Sequence, residues 1–155
     1  MLAGLGPLLG EGVTGGFAYA RTHSWWGYRA GRAFLGEEPV VAVPDPYTPA
    51  APGRPIAVLT SRLTASSGEL VALAFRGHPA ARAFGEPTRG LPTVNDGKEL
   101  GDGAYLYLTI ALGTDRAGGT YDAPLIPDQL ASIDWHHLGD RADPTLAATH
   151  AWLER

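Results

Sequence analysis

The chain has 155 residues, 45% hydrophobic and 18% charged, which is a globular composition and excludes an intrinsically disordered chain. A net charge of −4 and the absence of cysteine exclude a basic nucleic-acid-binding face, disulfides, thiolate catalysis and cysteine-based zinc sites. No stretch approaches the roughly 20 apolar residues that a membrane-spanning helix needs. We therefore expect neither a nucleic-acid partner nor a membrane segment. The compartment stays open.

The first third of the chain reads as one short helix followed by strands. Residues 1–10 are apolar and rich in glycine, which indicates a short helix. Residues 14–20 and 26–35 alternate aromatic or small residues with polar ones, which favours strands or a hairpin. Residues 39–43 predict a short strand. Four prolines and a glycine in residues 44–54 predict an extended connector.

The middle of the chain has the pattern of a strand–helix–strand unit. Residues 55–60 are a brief apolar run, typical of a strand buried on both faces of a parallel sheet. Residues 68–76 place apolar side chains on one face at helical spacing. Residues 81–85 predict the next strand. Such a unit implies a right-handed crossover in an α/β sheet.

Further strands and turns are predicted beyond this unit. Residues 104–112 predict a strand, with a turn at Asp102-Gly103 before it and another turn at 115–119. The sequence Asn-Asp-Gly-Lys at 95–98 indicates a solvated turn. Residues 143–155 predict a helix, because Asp143 can cap it and proline follows at the first helical position.

A serine at a strand-to-helix turn is the chemically informative feature. Ser66 follows the apolar strand and precedes the helix, so its hydroxyl is expected at the crevice where α/β proteins bind ligands. The free amides at the start of a helix can stabilise an alkoxide or an oxyanion. Gly68 removes side-chain bulk there and lets a substrate carbonyl approach the backbone.

A structural explanation of the same residues competes with the catalytic one. Ser66 and Glu69 fit a capping box, Ser-x-x-Glu, whose whole role can be to start the helix. Caps are common, so the local pattern favours a cap over a nucleophile.

A longer run of motifs resembles the tail-specific, or C-terminal processing, serine peptidase family. The chain is most similar to the branch that contains tricorn core protease and the interphotoreceptor retinoid-binding protein repeats. The resemblance covers roughly residues 55–128 well and the first fifty residues loosely. The motifs, in order, are PIAVLTS, TASSGE, RAFGEPTRG, DGAYLYLTIA, DRAGG and PLIPD.

The resemblance implies an α/β fold of the ClpP/crotonase kind with crossover helices, present here as a partial domain. Residues 1–155 would form its C-terminal, nucleophile-bearing part. It also implies endopeptidase activity through a serine acyl-enzyme, a peptide or protein substrate and no cofactor or metal. A homo-oligomer is left open.

The resemblance also assigns site residues. Ser66 follows Thr-Ala and takes the nucleophile's place, and Asp122 falls near a late acidic residue of the tricorn-like branch. Ser67, Gly68 and Gly90 are expected to bind the oxyanion or the substrate, and the nucleophile's own amide belongs to the family's oxyanion hole.

The general base does not match either branch. Leu91 stands where the processing branch has its lysine, and the single lysine, Lys98, lies in the predicted turn. No histidine lies in a match to the tricorn-like motif, and each is expected on the surface. The Gly-rich oxyanion loop should precede Met1, so we expect Met1 to be an internal residue of a longer protein and the isolated chain to be weakly active or inactive.

Two other functions remain open on the same fold. One is a non-catalytic ligand- or peptide-binding module, in which tryptophan side chains could line an apolar site. The other is a crotonase-type acyl-CoA enzyme, which would need two backbone amides for an enolate and no nucleophile. The TASSGE turn argues against the acyl-CoA enzyme.

Overall fold

The computed structural model describes residues 1–140 and 142–155 and shows a mixed α/β fold of ten strands and three helices in those residues. The helices are α1 (Leu2–Leu9), α2 (Ser67–Phe75) and α3 (Pro144–Leu153). The strands are β1 (Gly12–Tyr19), β2 (His23–Arg29), β3 (Arg32–Leu35), β4 (Glu38–Ala42), β5 (Ile56–Thr60), β6 (Ala81–Gly85), β7 (Thr93–Glu99), β8 (Tyr105–Thr114), β9 (Thr120–Tyr121) and β10 (Gln129–Leu130). No helix in these residues is long and apolar enough to cross a membrane.

Seven strands form an antiparallel sheet in the order β4-β3-β2-β1-β8-β7, with β9 pairing β8. Sequential hairpins build most of it, because short turns join β1 to β2, β2 to β3 and β3 to β4. The long strand β8 joins this N-terminal meander to the β7–β8 hairpin by pairing its last residues with β1. In this sheet β4 has a single partner, so its outer edge is free for pairing.

The second sheet is small and parallel, in the order β10-β6-β5. Helix α2 is the crossover between β5 and β6, as the sequence predicted. The carboxyl ends of β5 and β6 approach closely at Gly85, where φ is +117° and a Cβ atom would lie 2.1 Å from the Thr60 carbonyl oxygen. Only glycine fits there, and this junction carries the turns that follow both strands.

Helix α2 lies between the two sheets and supplies the centre of the core. Leu73 and Ala74 are fully buried, and Phe75 packs with Trp26 and Leu9 in the largest apolar cluster. The same cluster receives side chains from α1 and β5. These contacts anchor the carboxyl-terminal half of α2 in the core.

Three predictions made from the sequence are wrong in detail. Strand β5 is not buried on both faces, since Leu59 is 48% exposed at the edge of a sheet of only three strands. Residues 95–98 are not a turn: they belong to β7 and pair with β8, so ladder hydrogen bonds override the local turn preference. The third concerns the expected crossover helices. Most strands are antiparallel, and α2 is the only helix among the described residues that connects parallel strands.

Other elements are confirmed. Residues 1–10 form α1, and the turn before β8 is closed by a hydrogen bond from the Leu100 amide to the Ala104 carbonyl, 2.7 Å. Helix α3 starts as predicted, because the Asp143 carboxylate accepts from the Thr145 amide at 2.9 Å.

Candidate active site

Ser66 has a strained backbone. Its φ is 51° and its ψ is −118°, and Ala30 is the only other non-glycine residue with a positive φ in the described chain. A serine in this region costs on the order of 1–3 kcal/mol and persists only where the surroundings impose it. The side chain is exposed at the point where the chain leaves β5 and enters α2. A sharp strand-to-helix turn of this kind raises a nucleophile out of the surface.

Ser66 and Glu69 form the predicted capping box. The Ser66 amide donates to Glu69 Oε2 at 2.8 Å. The reciprocal contact, between the Ser66 side chain and the Glu69 amide, is also present, although it does not reach full hydrogen-bond geometry within the described residues. The cap and the exposure of the serine side chain therefore occur together.

Glu69 is the most constrained polar group at the site. Its side chain is fully buried, and its carboxylate accepts four hydrogen bonds. Oε1 accepts from the Thr88 hydroxyl and from the Gly90 amide at 2.8 Å, and Oε2 accepts from the amides of Ser66 and Leu91, each at 2.8 Å. An ionised carboxylate is an acceptor only, so it suits four donors and no acceptor. Glu69 thus ties the Ser66 turn to the loop after β6.

That loop is anchored on its other side as well. Thr88 Oγ1 accepts from the Leu125 amide at 2.8 Å, and the Thr88 amide donates to the Leu125 carbonyl at 3.1 Å. The Arg89 amide donates to the Thr64 carbonyl at 2.8 Å, two residues before Ser66. The Ser66 turn is therefore held between α2 and a loop that is itself fixed to the segment before β10.

The amides near Ser66 Oγ differ in whether they are free. The Gly68 amide donates to the Ala65 carbonyl at 2.9 Å, and the amides of Gly90 and Ser66 are both taken by Glu69. The Ser67 amide has no acceptor among the residues that the structure describes. Ser67 is the first residue of α2, where the helix dipole is positive. Of the expected oxyanion donors, its amide is the one left unbonded.

Asp122 lies two residues before Pro124, which contacts Gly90 of the 88–91 loop. It is exposed, and no hydrogen bond to its carboxylate is present within the described part of the chain. Its neighbour Pro124 packs against Gly90, where a Cβ atom would come within 2.8 Å of the proline Cδ. The structure therefore places Asp122 near the 88–91 loop without bonding it to Ser66.

Arg62, in the turn after β5, contacts two other side chains. Arg62 Nη1 lies 3.7 Å from Glu86 Oε1, and the Arg62 guanidinium lies 4.3 Å from the centre of the Trp135 ring. Arg62 is largely exposed, so the ion pair is worth little. Its stacking on Trp135 brings the segment after β10 alongside the turn after β5.

Two histidines, His23 and His78, have contacts with residues other than Ser66. His23 Nε2 lies 3.2 Å from Thr114 Oγ1, and Thr114 faces away from α2 because the preceding Gly113 faces α2. His78 stands beyond the carboxyl end of α2. There its Nδ1 accepts from the Ala80 amide at 3.1 Å, and burial, with the nearby Arg116 charge, lowers its pKa.

The other positions considered for the general base are His137, His150, Lys98 and Leu91. His137 Nδ1 lies 2.8 Å from Asp134 Oδ2, and this contact is the first cause of the lowered pKa of Asp134. His150 is on α3, and Lys98 is exposed on β7 opposite Leu106. Leu91 is 51% exposed, and its amide is bonded to Glu69.

The structural roles of Glu69 and Thr88 could not be read from the sequence. A glutamate three residues after a serine indicates a surface cap, and nothing in its neighbours signals complete burial. Thr88 lies 19 residues away, in a loop without periodic pattern. One signal of burial was available in the sequence. Glu69 is the only charged residue in 65–75, where the other residues are apolar or small.

Comparison with known proteins identifies the family of the chain. The model of Peptidase family S41 matches residues 26–130. Nisin-resistance protein of Lactococcus lactis subsp. lactis is 38% identical over 88 residues, covering 52% of this chain and 28% of that protein. Carboxyl-terminal-processing peptidase 2, chloroplastic, of Arabidopsis thaliana is 35% identical over 104 residues, covering 63% of this chain and 20% of that protein.

A solved structure extends the likeness to the whole fold. The structure of a lipoprotein from Streptococcus agalactiae matches 99% of this chain and 48% of its own length, with a TM-score of 0.65 and 26% identity. The chain thus spans well under half the length of the curated relatives it matches. Because the family match covers most of the chain, the family resemblance seen in the sequence is confirmed, and the chain belongs to peptidase family S41.

Proposed function

We propose that this chain presents the nucleophile of a serine endopeptidase and that Ser66 attacks the peptide carbonyl. One observation carries the proposal: an exposed serine hydroxyl sits on a strained turn next to an unbonded amide at a helix start. Strain kept at an exposed polar residue is typical of a functional position.

The proposed reaction is acyl transfer. A base removes the Ser66 hydroxyl proton as Oγ bonds to the carbonyl carbon, and the carbonyl oxygen gains negative charge next to the Ser67 amide. The carbon–nitrogen bond then breaks, and the leaving amine takes the proton from the base. Water hydrolyses the resulting ester and restores the hydroxyl. Glu69 contributes by holding the turn in position.

The finer assignments belong to this proposal too. We assign the ClpP/crotonase type to the fold and the C-terminal, nucleophile-bearing part of a catalytic domain to residues 1–155. Asp122 would act from the segment beside the 88–91 loop, and Gly68 would let substrate approach. Gly90 supports the site through its bond to Glu69, since its amide is not free for an oxyanion. Homo-oligomerisation stays a prediction.

The proposed substrate is a peptide or protein. One curated relative is named for resistance to nisin and another for processing carboxyl termini. The side chains of His23, His78 and His137 contact other residues, and Lys98 lies on β7. We therefore expect slow hydrolysis by the isolated chain that an external base accelerates.

A fluorophosphonate probe tests the proposal directly. The chain is incubated with the probe, with and without imidazole as a diffusible base, and the adduct is located by peptide mass mapping. We expect an adduct on Ser66 that forms faster with imidazole and is lost in Ser66→Ala. Ser67→Ala is the matched control, since it keeps the backbone amide and should still be labelled. Absence of any adduct on Ser66 in both conditions would reject the proposal.

A non-catalytic peptide- or ligand-binding module is the second candidate. It is favoured by the lack of a base beside Ser66 among the described residues. It predicts binding of peptide without probe labelling. An acyl-CoA enzyme is disfavoured, because an enolate would need two free amides and three of the four amides here are already bonded.

A further inference from the structure

The hairpin of β7 and β8 projects beyond the rest of the large sheet. Every residue from 95 to 110 is exposed. Strand β8 pairs with β1 and β9 only through residues 111–114, so among the described residues its positions 105–110 pair with β7 alone. A ribbon of two strands is marginally stable in water unless something packs against it. We therefore expect a partner to cover this arm, defined here as residues 95–110.

One face of the arm carries two leucines beside two opposite charges. In the register of the hairpin, Leu108 lies opposite Asp96, and Leu106 lies opposite Lys98. Side chains directly opposite each other in an antiparallel pair point to the same face of the sheet. Leu106 is 46% exposed and Leu108 is 53% exposed, although both are strongly apolar. These four residues are termed the leucine face.

The other face of the arm is partly covered by its own side chains. The rings of Tyr105 and Tyr107 are stacked, with their centroids 6.3 Å apart, and the Tyr107 ring lies over Gly97. Thr109 Oγ1 donates to Asn95 Oδ1 at 2.9 Å. Tyrosine also carries a hydroxyl that water can bind. The leucine face is therefore the face that gains more from a partner.

The leucine face is complementary to itself. Asp96 and Lys98 carry opposite charges on the same strand, and neither has an ion-pair partner in the part of the chain that the structure describes. A two-fold axis that crosses the arm level with Gly97 sets each Asp96 opposite Lys98 of a second copy. The same rotation sets Leu106 of one copy on Leu108 of the other, at the spacing of two stacked sheets. Apolar and charged groups thus match at once.

We propose that the leucine face is a dimer interface, in which two copies of this chain pack their arms face to face and antiparallel. The inference is independent of the chemistry proposed for Ser66. Three carboxylates and one lysine give the arm a net charge of −2 (1 − 3), which disfavours an anionic membrane as the partner. Each copy contributes few side chains, fewer than the roughly 800 Å² of a standard interface requires, so we expect a dissociation constant of about 10–100 µM.

A charge exchange tests the proposed contact. Sedimentation equilibrium at protein concentrations from about 5 to 500 µM gives the dissociation constant of the dimer. Asp96→Lys and Lys98→Asp each place like charges opposite one another in both symmetry-related pairs, so each should weaken the dimer about tenfold. The double variant exchanges the two charges and should restore the dissociation constant to within about threefold of the unchanged chain. A structural effect of either single change would not be repaired in this way.

Two truncations on β8 show which face is used. Leu108→Ser should weaken the dimer about tenfold or more, because each copy loses one buried leucine side chain. Tyr107→Ser is the matched control, since it removes a larger exposed side chain from the opposite face and should leave the dissociation constant unchanged. Circular dichroism of each variant checks that the chain is folded.

Cross-linking identifies the contact residues. Lys98 is the only lysine of the chain, so a carbodiimide can join it to a carboxylate without an intermediate spacer. In a mixture of unlabelled and ¹⁵N-labelled protein, we expect cross-links from Lys98 of one isotope to Asp96 of the other. A chain that stays monomeric at about 500 µM would overturn the proposal. So would a double variant as weak as the single ones, a dimer that depends on Tyr107 and not on Leu108, or a monomer that instead binds phosphatidylcholine vesicles through Leu108.

Discussion

Replacing Glu69 by glutamine is the sharpest test of how the site is held together. The two side chains have nearly the same shape, so the change removes hydrogen-bond acceptors without opening a cavity. Glutamine offers one acceptor oxygen and an amino group that only donates. The buried carboxylate it replaces accepts from four donors.

The size of the effect follows from which donors lose a partner. If the amino group takes the place of Oε2, it meets the amides of Ser66 and Leu91, and both bonds are lost. If it takes the place of Oε1, the Thr88 hydroxyl can rotate and accept, but the Gly90 amide is left unpaired. Each buried donor left unpaired costs about 1–3 kcal/mol. We therefore expect a loss of about 2–4 kcal/mol in the free energy of unfolding.

Urea unfolding followed by tryptophan fluorescence measures this loss. The midpoint should fall at an unchanged slope, because the surface exposed on unfolding stays the same. Glu38→Gln, at an exposed position on β4, is the control and should stay within about 0.5 kcal/mol of the unchanged protein. A Glu69→Gln protein as stable as this control would refute the idea that the buried carboxylate clamps the turn.

Three further changes test other parts of the structure. Ser66→Gly should be more stable than Ser66→Ala by about 1 kcal/mol in the same urea assay, because glycine adopts a positive φ without strain. Equal stabilities of the two variants would argue against backbone strain at Ser66. The His78 pKa is lowered by burial and then by Arg116, so the folded protein should lose stability as pH falls below about 6.5, where the unfolded chain binds more protons. His78→Gln should flatten that slope, and an unchanged slope would contradict the assignment. Gly85→Ala should cost about 3 kcal/mol or more by strain and by collision with a neighbouring carbonyl, whereas Gly101→Ala has open space and should cost little; similar thermal midpoints would count against the close approach.

The strand–helix–strand unit around Ser66 was predictable because each of its parts has a local signal. An apolar run, a small-residue turn and a helical face follow one another within 31 residues, 55–85, and the structure has β5, α2 and β6 there. Local sequence signals gave the wrong secondary structure where pairing with a distant strand determines the conformation. Asn95-Asp96-Gly97 favours a turn in isolation, yet its register with Tyr107–Thr109 makes it strand.

The sequence led to Ser66 as the candidate nucleophile, but it did not reveal which residues hold the Ser66 turn in place. The position of Ser66 followed from the turn and from the family resemblance. The bonding of Glu69 required knowing that residues 88–91 fold back onto the first turn of α2. The sequence also left several candidate oxyanion donors, the amides of Ser66, Ser67, Gly68 and Gly90, and only the structure shows that the Ser67 amide is the unbonded one.

The sequence by itself determined the order of elements, the serine turn and the family, because these depend on neighbouring residues and on motifs that stand in line. Tertiary structure alone decided which side chains are buried and which amides are free. The physical reason is distance along the chain: Glu69 meets partners 19 to 22 residues away. No local pattern records a contact of that kind, because it forms only when separate segments pack together.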